Sequence, residues 1–295
     1  MNRISNNLAE NNTHKSKVNK VFIDVSAHRF TADIIKRHST NQNDIREVAL
    51  KELDLSGCRN ILELGCGFGF FTEALKGKVH PEAVVTGVDI IEEYETFFLE
   101  ACKKAGMKGR FCSEGSSVVN KIEGNSFDLI ICSYSLYFFP EILPDISRVL
   151  RERGVFIATV HNKQNMEELG NFAKEILISN GLLNRDEKLP IEIFVNSFSS
   201  EIGHQLLPPW FKNVKAITFP NFLVFEPIDM YSLLEYFRFK WPFLFTSTPA
   251  KLGRVFDLFE MNLQKYFNSP SKNFTISKDD TIFICSQPLH NKKSR

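Results

Sequence analysis

The run Ile61-Leu62-Glu63-Leu64-Gly65-Cys66-Gly67-Phe68-Gly69-Phe70-Phe71-Thr72 carries the strongest chemical signal in the chain. A short apolar strand leads into three glycines at alternate positions, and the spacing then predicts a helix over Phe70–Leu75. Glycine lets backbone take positive φ and approach a ligand closely. A helix N-terminus behind it offers N–H groups to an anionic ligand end. Dinucleotide binding requires G-x-G-x-x-G, but position 70 is Phe, so that spacing fails. Glu63, two residues before the first glycine, would repel a pyrophosphate and suits an ammonium group. A second apolar run, Val84-Val85-Thr86-Gly87-Val88-Asp89-Ile90, ends on an acid. A carboxylate accepts from two O–H donors, so Asp89 fits either a ribose diol or the N-cap of a helix. His161, Tyr137 and His28 are candidate general bases, each with a packing or capping role as its alternative.

These residues need elements to hold them, and the chain supplies a regular alternation. Strands are expected over 60–64, 83–88, 109–112, 127–132 and 154–160, with helices over 92–105, 141–150 and 165–179 between and after them. The run 127–132 is apolar throughout, as a parallel strand covered on both faces should be. Alternating strands and helices predict an α/β fold with right-handed crossovers. Further on, the rhythm changes. A strand is expected over 213–219 with a continuation to Phe225, then helices over 227–239 and 251–267, and a last strand over 280–285.

The pattern E-x-G-x-G-x-G over Glu63–Gly69 closely resembles the first motif of class I S-adenosylmethionine methyltransferases. The resemblance covers roughly residues 45 to 160. It implies a Rossmann-like, seven-stranded, mostly parallel sheet with helices on both faces and a helical insertion before the last strand. It also implies site roles. Gly65, Cys66, Gly67 and Gly69 would pass under the methionine part of the cofactor, and Glu63 would meet its amino end. Asp89 would take both ribose hydroxyls, and Ile90 would pack on the adenine. The third station, Phe111-Cys112-Ser113-Glu114-Gly115-Ser116-Ser117, has Ser116 where the family commonly has Asp, so Ser116 and Ser117, or Glu114, stand for the adenine contact. Asn125–Pro140 is similar to the fourth-strand motif, which places Ser133 and Tyr134 at the ligand end of the sheet, as further cofactor-binding residues.

Absent motifs narrow the acceptor. Asn/Asp-Pro-Pro-Tyr, typical of amino methyltransferases acting on adenine or glutamine, is replaced by Cys132-Ser133-Tyr134-Ser135. There is no Pro-Cys dipeptide of the cytosine-C5 type, and Ser133 stands where metal-dependent catechol-type enzymes place an Asp, so no metal is expected. The resemblance therefore implies methyl transfer to O or N of a small, apolar or aromatic molecule, with His161 or Tyr137 as the base. Methylation of RNA or protein, and a non-catalytic cofactor-binding or partner-binding protein of the same fold, are the alternatives.

Composition agrees with one soluble globular protein. The chain has 295 residues and net charge +1, from 36 basic and 35 acidic residues, so no basic stripe for nucleic acid is expected. Six cysteines include no C-x-x-C pair, which reads as a reduced, cytoplasmic protein. No run of about 18 apolar residues predicts a membrane span. The organisation expected is a disordered arm over 1–20 and a single domain over 21–295. Within that domain, 21–56 are N-terminal helices, 57–180 the cofactor-binding core, 181–279 a substrate and lid region, and 280–287 the last strand. Of 28 phenylalanines, 15 fall between Phe194 and Phe283. They are read as an apolar lid, a packing core, or the face of a homodimer.

Overall fold

The computed structural model describes Val18 and residues 20–245, 249–268 and 272–290. The arm expected over 1–20 lies outside the described residues except for Val18 and Lys20. The strands are β1 (Asn60–Leu64), β2 (Val84–Val88), β3 (Lys108–Cys112), β4 (Phe127–Ser133), β5 (Leu150–His161), β6 (Phe211–Phe219), β7 (Phe222–Phe225), β8 (Phe274–Ser277) and β9 (Asp280–Pro288). Seven form one sheet in the order β3-β2-β1-β4-β5-β9-β6. The first five are mutually parallel, and β9 runs antiparallel between β5 and β6. This is the Rossmann-like α/β sheet that the strand-helix alternation predicts.

The described residues fall into two compact units. The sheet unit draws on Asn43–Lys163, Asn196–Phe219 and the described part of Asp280–Arg295. Its central strands are covered on both faces. Ile61, Leu129, Ile131, Ile157 and Ile282 share one face with Ala49, Leu50, Phe98 and Cys102 from the helices Ile45–Leu50 and Glu95–Lys104. On the other face Phe283 lies against Gly203 of the helix Ser200–Leu206, where an added Cβ would come within 2.5 Å of the ring.

The second unit draws on the described residues of Met1–Gln42, with Gln164–Val195 and Pro220–Asp279. It holds the helices Val25–His38, Glu167–Ser179, Met230–Leu244 and Pro249–Phe267, and a small antiparallel sheet of β7 and β8. Its centre is aromatic. The rings of Phe237 and Phe259 stack at 3.4 Å and 4°, and Phe172 meets Phe259 and Phe274 edge-on at 5.3 Å. Phe237, Phe239 and Phe243 are all buried, which is the packing-core alternative for these three.

Two elements differ from the sequence reading. The helix expected over Phe70–Leu75 is only a 3-10 turn, Thr72–Leu75. Gly69 and Gly77 hold φ of +82° and +70° on either side, so the segment has no room to propagate an α-helix. The strand expected to continue to Phe225 stops at Phe219, which pairs with Asp280, the first residue of its partner β9, and Pro220 follows. Phe222–Phe225 pairs instead with β8.

Candidate functional site

The glycine loop joins β1 to the 3-10 turn at the C-terminal end of the sheet. Gly65, Gly67 and Gly69 all have positive φ, at +64°, +49° and +82°. Two of them are also fixed by space. A Cβ on Gly65 would lie 2.4 Å from the Ser135 side chain, and one on Gly69 would lie 2.5 Å from Ala101 Cβ. Gly67 meets nothing within 4 Å among the described residues, so here the loop backbone faces open space. The Cys66 side chain is buried under the loop, and burial first, then the carboxylates of Asp89 and Glu63, pushes its thiol far above the usual range.

Glu63 points into the protein and is only 2% exposed. The Thr72 hydroxyl donates to Glu63 Oε2. Burial pushes the Glu63 carboxyl up to about 7, against the opposing pull of the Thr72 hydroxyl and the backbone N–H groups of Phe71 and Thr72. Its charge is therefore finely balanced near neutrality, and a cation brought nearby would complete its ionisation.

Asp89 sits at the end of β2 with both oxygens on the loop system. The Gly67 N–H donates to Oδ2 at 3.0 Å, and the Ile91 N–H donates to Oδ1 at 3.1 Å. Each oxygen keeps a lone pair for a further donor, so the group can hold the loop and still accept from paired hydroxyls. Burial raises its pKa and the N–H donors lower it in part. Next to it Ile90 is 52% exposed, an apolar face presented beside a carboxylate. Gly115, at φ +76°, makes room for that side chain, since a Cβ there would lie 2.7 Å from Ile90 Cγ2. Ser116 and Ser117 follow Gly115 on the 3-10 turn Ser116–Lys121. Glu114, the other candidate here, is exposed and takes Lys121 Nζ at 2.5 Å.

The loop after β4 forms the other side. Ser133 ends the strand, and Tyr134 follows with φ +54°. Tyr134 Oη donates to Asp280 Oδ2 at 2.8 Å, and His161 Nδ1 lies 2.6 Å from Asp280 Oδ1. The Tyr134 and His161 rings stack at 4.7 Å, and Tyr137 stacks on His161 at 6.4 Å. Burial raises both tyrosine hydroxyls, with Asp280 adding for Tyr134 and Cys132 for Tyr137. Thus Tyr134, Tyr137 and His161 come together, whereas His28 belongs to the second unit and stacks on Phe239 at 5.3 Å.

Three residues of the site escape a motif reading. Asp280 opens β9, and its only sequence signal is an acid at a strand start. Ser135 Oγ donates to the Leu64 carbonyl at 3.0 Å, tying the β4 loop to the glycine loop. Arg46 donates to the Phe70 carbonyl at 2.6 Å and lies 4.3 Å over the Phe70 ring, clamping the loop exit. Among the described residues no group of three or more His, Cys, Asp and Glu is placed to hold a metal ion, and no helix is long and apolar enough to cross a membrane.

Residues 61–154 match the family model described as a methyltransferase domain. A demethylmenaquinone methyltransferase of Staphylococcus aureus is 28% identical over 154 residues, covering 51% of this chain and 62% of the relative. The chain thus spans less than two thirds of the length of the curated relatives it matches. A candidate methyltransferase of Bacillus halodurans superposes with a TM-score of 0.51 at 12% identity, over 84% of this chain and 100% of that one, and so shares the fold.

Proposed function

We propose that the chain is a class I, S-adenosylmethionine-dependent methyltransferase that transfers a methyl group from that cofactor to a small acceptor molecule, a reading supported by the match of residues 61–154 to a methyltransferase-domain family model. The observation that carries the reading is the shared use of Asp89. One carboxylate braces the Gly67 N–H and keeps lone pairs for a diol, beside a half-exposed Ile90 suited to a flat base. Open space at Gly67 and the near-neutral Glu63 fit the rest of the cofactor, a chain ending in an ammonium group.

When bound, the cofactor supplies an electrophilic methyl on a sulfonium. The protein's residues then position the acceptor, exclude water and take up a proton where the acceptor must lose one. Gly65, Cys66, Gly67 and Gly69 would form the loop that holds the cofactor, with Ser116 and Ser117 toward its base and Ser133 and Tyr134 at the end of β4 completing its site. His161 and Tyr137 are the proton-handling candidates, and His161 is favoured by its carboxylate partner. The relative's name supports an apolar, ring-bearing acceptor. Titration calorimetry with S-adenosylhomocysteine tests the reading. Micromolar binding that is lost when Gly67→Val blocks the open face supports it, and no binding to the intact chain refutes it.

A further inference from the structure

The glycine loop is held at three places, and they differ in kind. Gly65 and Cys66 donate their N–H groups to the Val88 carbonyl at 2.8 and 3.2 Å. The Gly67 N–H goes to Asp89, just past the same strand. The third hold, on the loop exit, comes from outside the sheet. Arg46 Nη1 donates to the Phe70 carbonyl at 2.6 Å, and the guanidinium lies 4.3 Å from the centre of the Phe70 ring.

One carboxylate sets both this clamp and the start of the helix that carries it. The Arg46 N–H donates to Asp44 Oδ1 at 2.9 Å, which caps the helix Ile45–Leu50. Arg46 Nε donates to the same oxygen at 2.9 Å, and Nη2 donates to Oδ2 at 2.6 Å. A planar fork can grip both oxygens of Asp44, reach a carbonyl and lie over a ring at once, which a lysine ammonium cannot. A helix of six residues does not persist alone. It is held because Ile45, Ala49 and Leu50 are buried in the core of the sheet unit. Its exposed first turn therefore opens at lower cost than the strands. When it opens, the Asp44 cap and the Arg46 fork separate, and the Phe70 carbonyl loses its donor. The loop ahead of Phe70 has positive φ at Gly65, Gly67 and Gly69, so an unclamped exit leaves a flexible backbone that a ligand must then order.

We propose that Arg46 is a positioning residue for the cofactor, and that docking of the helix Ile45–Leu50 and binding of the cofactor are one linked equilibrium. This inference rests on the methyltransferase reading above. Arg46 acts through the Phe70 carbonyl and not by touching the cofactor. Linkage is reciprocal: the factor by which the docked helix raises cofactor affinity is the factor by which the cofactor favours the docked helix.

The test uses the whole chain and S-adenosylhomocysteine. Arg46→Met, which keeps an apolar stem, should weaken binding about tenfold by calorimetry, and Arg46→Lys, which keeps the charge but not the fork, about fivefold. Glu47→Gln, which removes the neighbouring ion pair to Lys78, should stay within about twofold. Hydrogen exchange gives a readout that a mere packing role does not move. With saturating ligand, the amides of Ile45–Leu50 should exchange about tenfold more slowly in the wild type, measured against the helix Ser200–Leu206, and this gain should vanish in Arg46→Met. The wild-type exchange needs no substitution, so it decides the matter even where Arg46→Met folds poorly. Unchanged affinity in a folded Arg46→Met, or wild-type exchange in Ile45–Leu50 that ignores the ligand, overturns the inference alone. Absence of S-adenosylhomocysteine binding to the intact chain overturns the methyltransferase reading and this inference with it.

Discussion

The two units solve different problems with different residues. In the sheet unit the demanding positions are set by the backbone: Gly65, Gly67, Gly69 and Gly115 hold positive φ, and Asp89 and Glu63 are braced by loop N–H groups. In the second unit they are set by side-chain volume, as in the Phe237–Phe259 stack and the Phe172–Phe274 contact. A constraint on φ or on a hydrogen-bond acceptor admits few residue types, whereas a constraint on packed volume admits many. One unit therefore wears its chemistry in short motifs, and the other shows only an excess of phenylalanine.

The sharpest way to break that contrast is at Phe237. Phe237→Ala should destabilise the chain by about 3–5 kcal/mol, the range for a buried aromatic. Chemical denaturation should detect it, while S-adenosylhomocysteine affinity at low denaturant stays unchanged. A loss of affinity without a loss of stability would mean that the aromatic residues serve the ligand rather than the core.

Glu63 gives the next largest effect. Its folded pKa, near 7, lies above the ordinary carboxylate value, so its ionisation opposes folding. The penalty is absent below about pH 4.5, grows as pH rises to about 7, and is complete above that, reaching about 3 kcal/mol. Denaturation at pH 5 and pH 8 should show Glu63→Gln gaining markedly more stability relative to the wild type at the higher pH.

Much of the sheet unit was legible. The parallel strands follow from the β-α alternation, and the glycines lie in the loop after β1, with Glu63 on β1 and Asp89 just past β2. What escaped notice acts across the sequence. Asp280 reaches Tyr134 over 146 positions, and Ser135 reaches Leu64 over 71. Neither bond leaves a local spacing to read. Arg46 is similar, because its partner Phe70 becomes its neighbour only when the helix Ile45–Leu50 docks. The helix expected after the glycine loop failed for the opposite reason: a local pattern was present, and flanking glycines cut it short.

Asp89→Ala should weaken S-adenosylhomocysteine binding by about 1.5–3 kcal/mol, the scale of hydrogen bonds to a charged group. Calorimetry reads this directly, and an unchanged affinity would remove the diol assignment. The smallest effect belongs to the second unit. Burial, with Lys240 adding, holds the His28 imidazole down to about 3. The unfolded chain takes up this proton below about pH 6.5 while the folded chain does not, so stability is present above that pH and falls below it. Between pH 7 and pH 5 the His28 share should be about 1–2 kcal/mol, and it should vanish in His28→Phe.

The position of β9 also bears on synthesis. It lies between β5 and β6 yet follows both in the sequence, so a growing chain must hold a gap in its sheet until residues 280–288 emerge. Until then β5 and β6 present unpaired edges, the kind that recruits other strands. The same late segment brings Asp280 to His161. Closing the sheet and completing the polar cluster are thus one event, and a chain stalled before it is both aggregation-prone and without its Asp280–His161 pair.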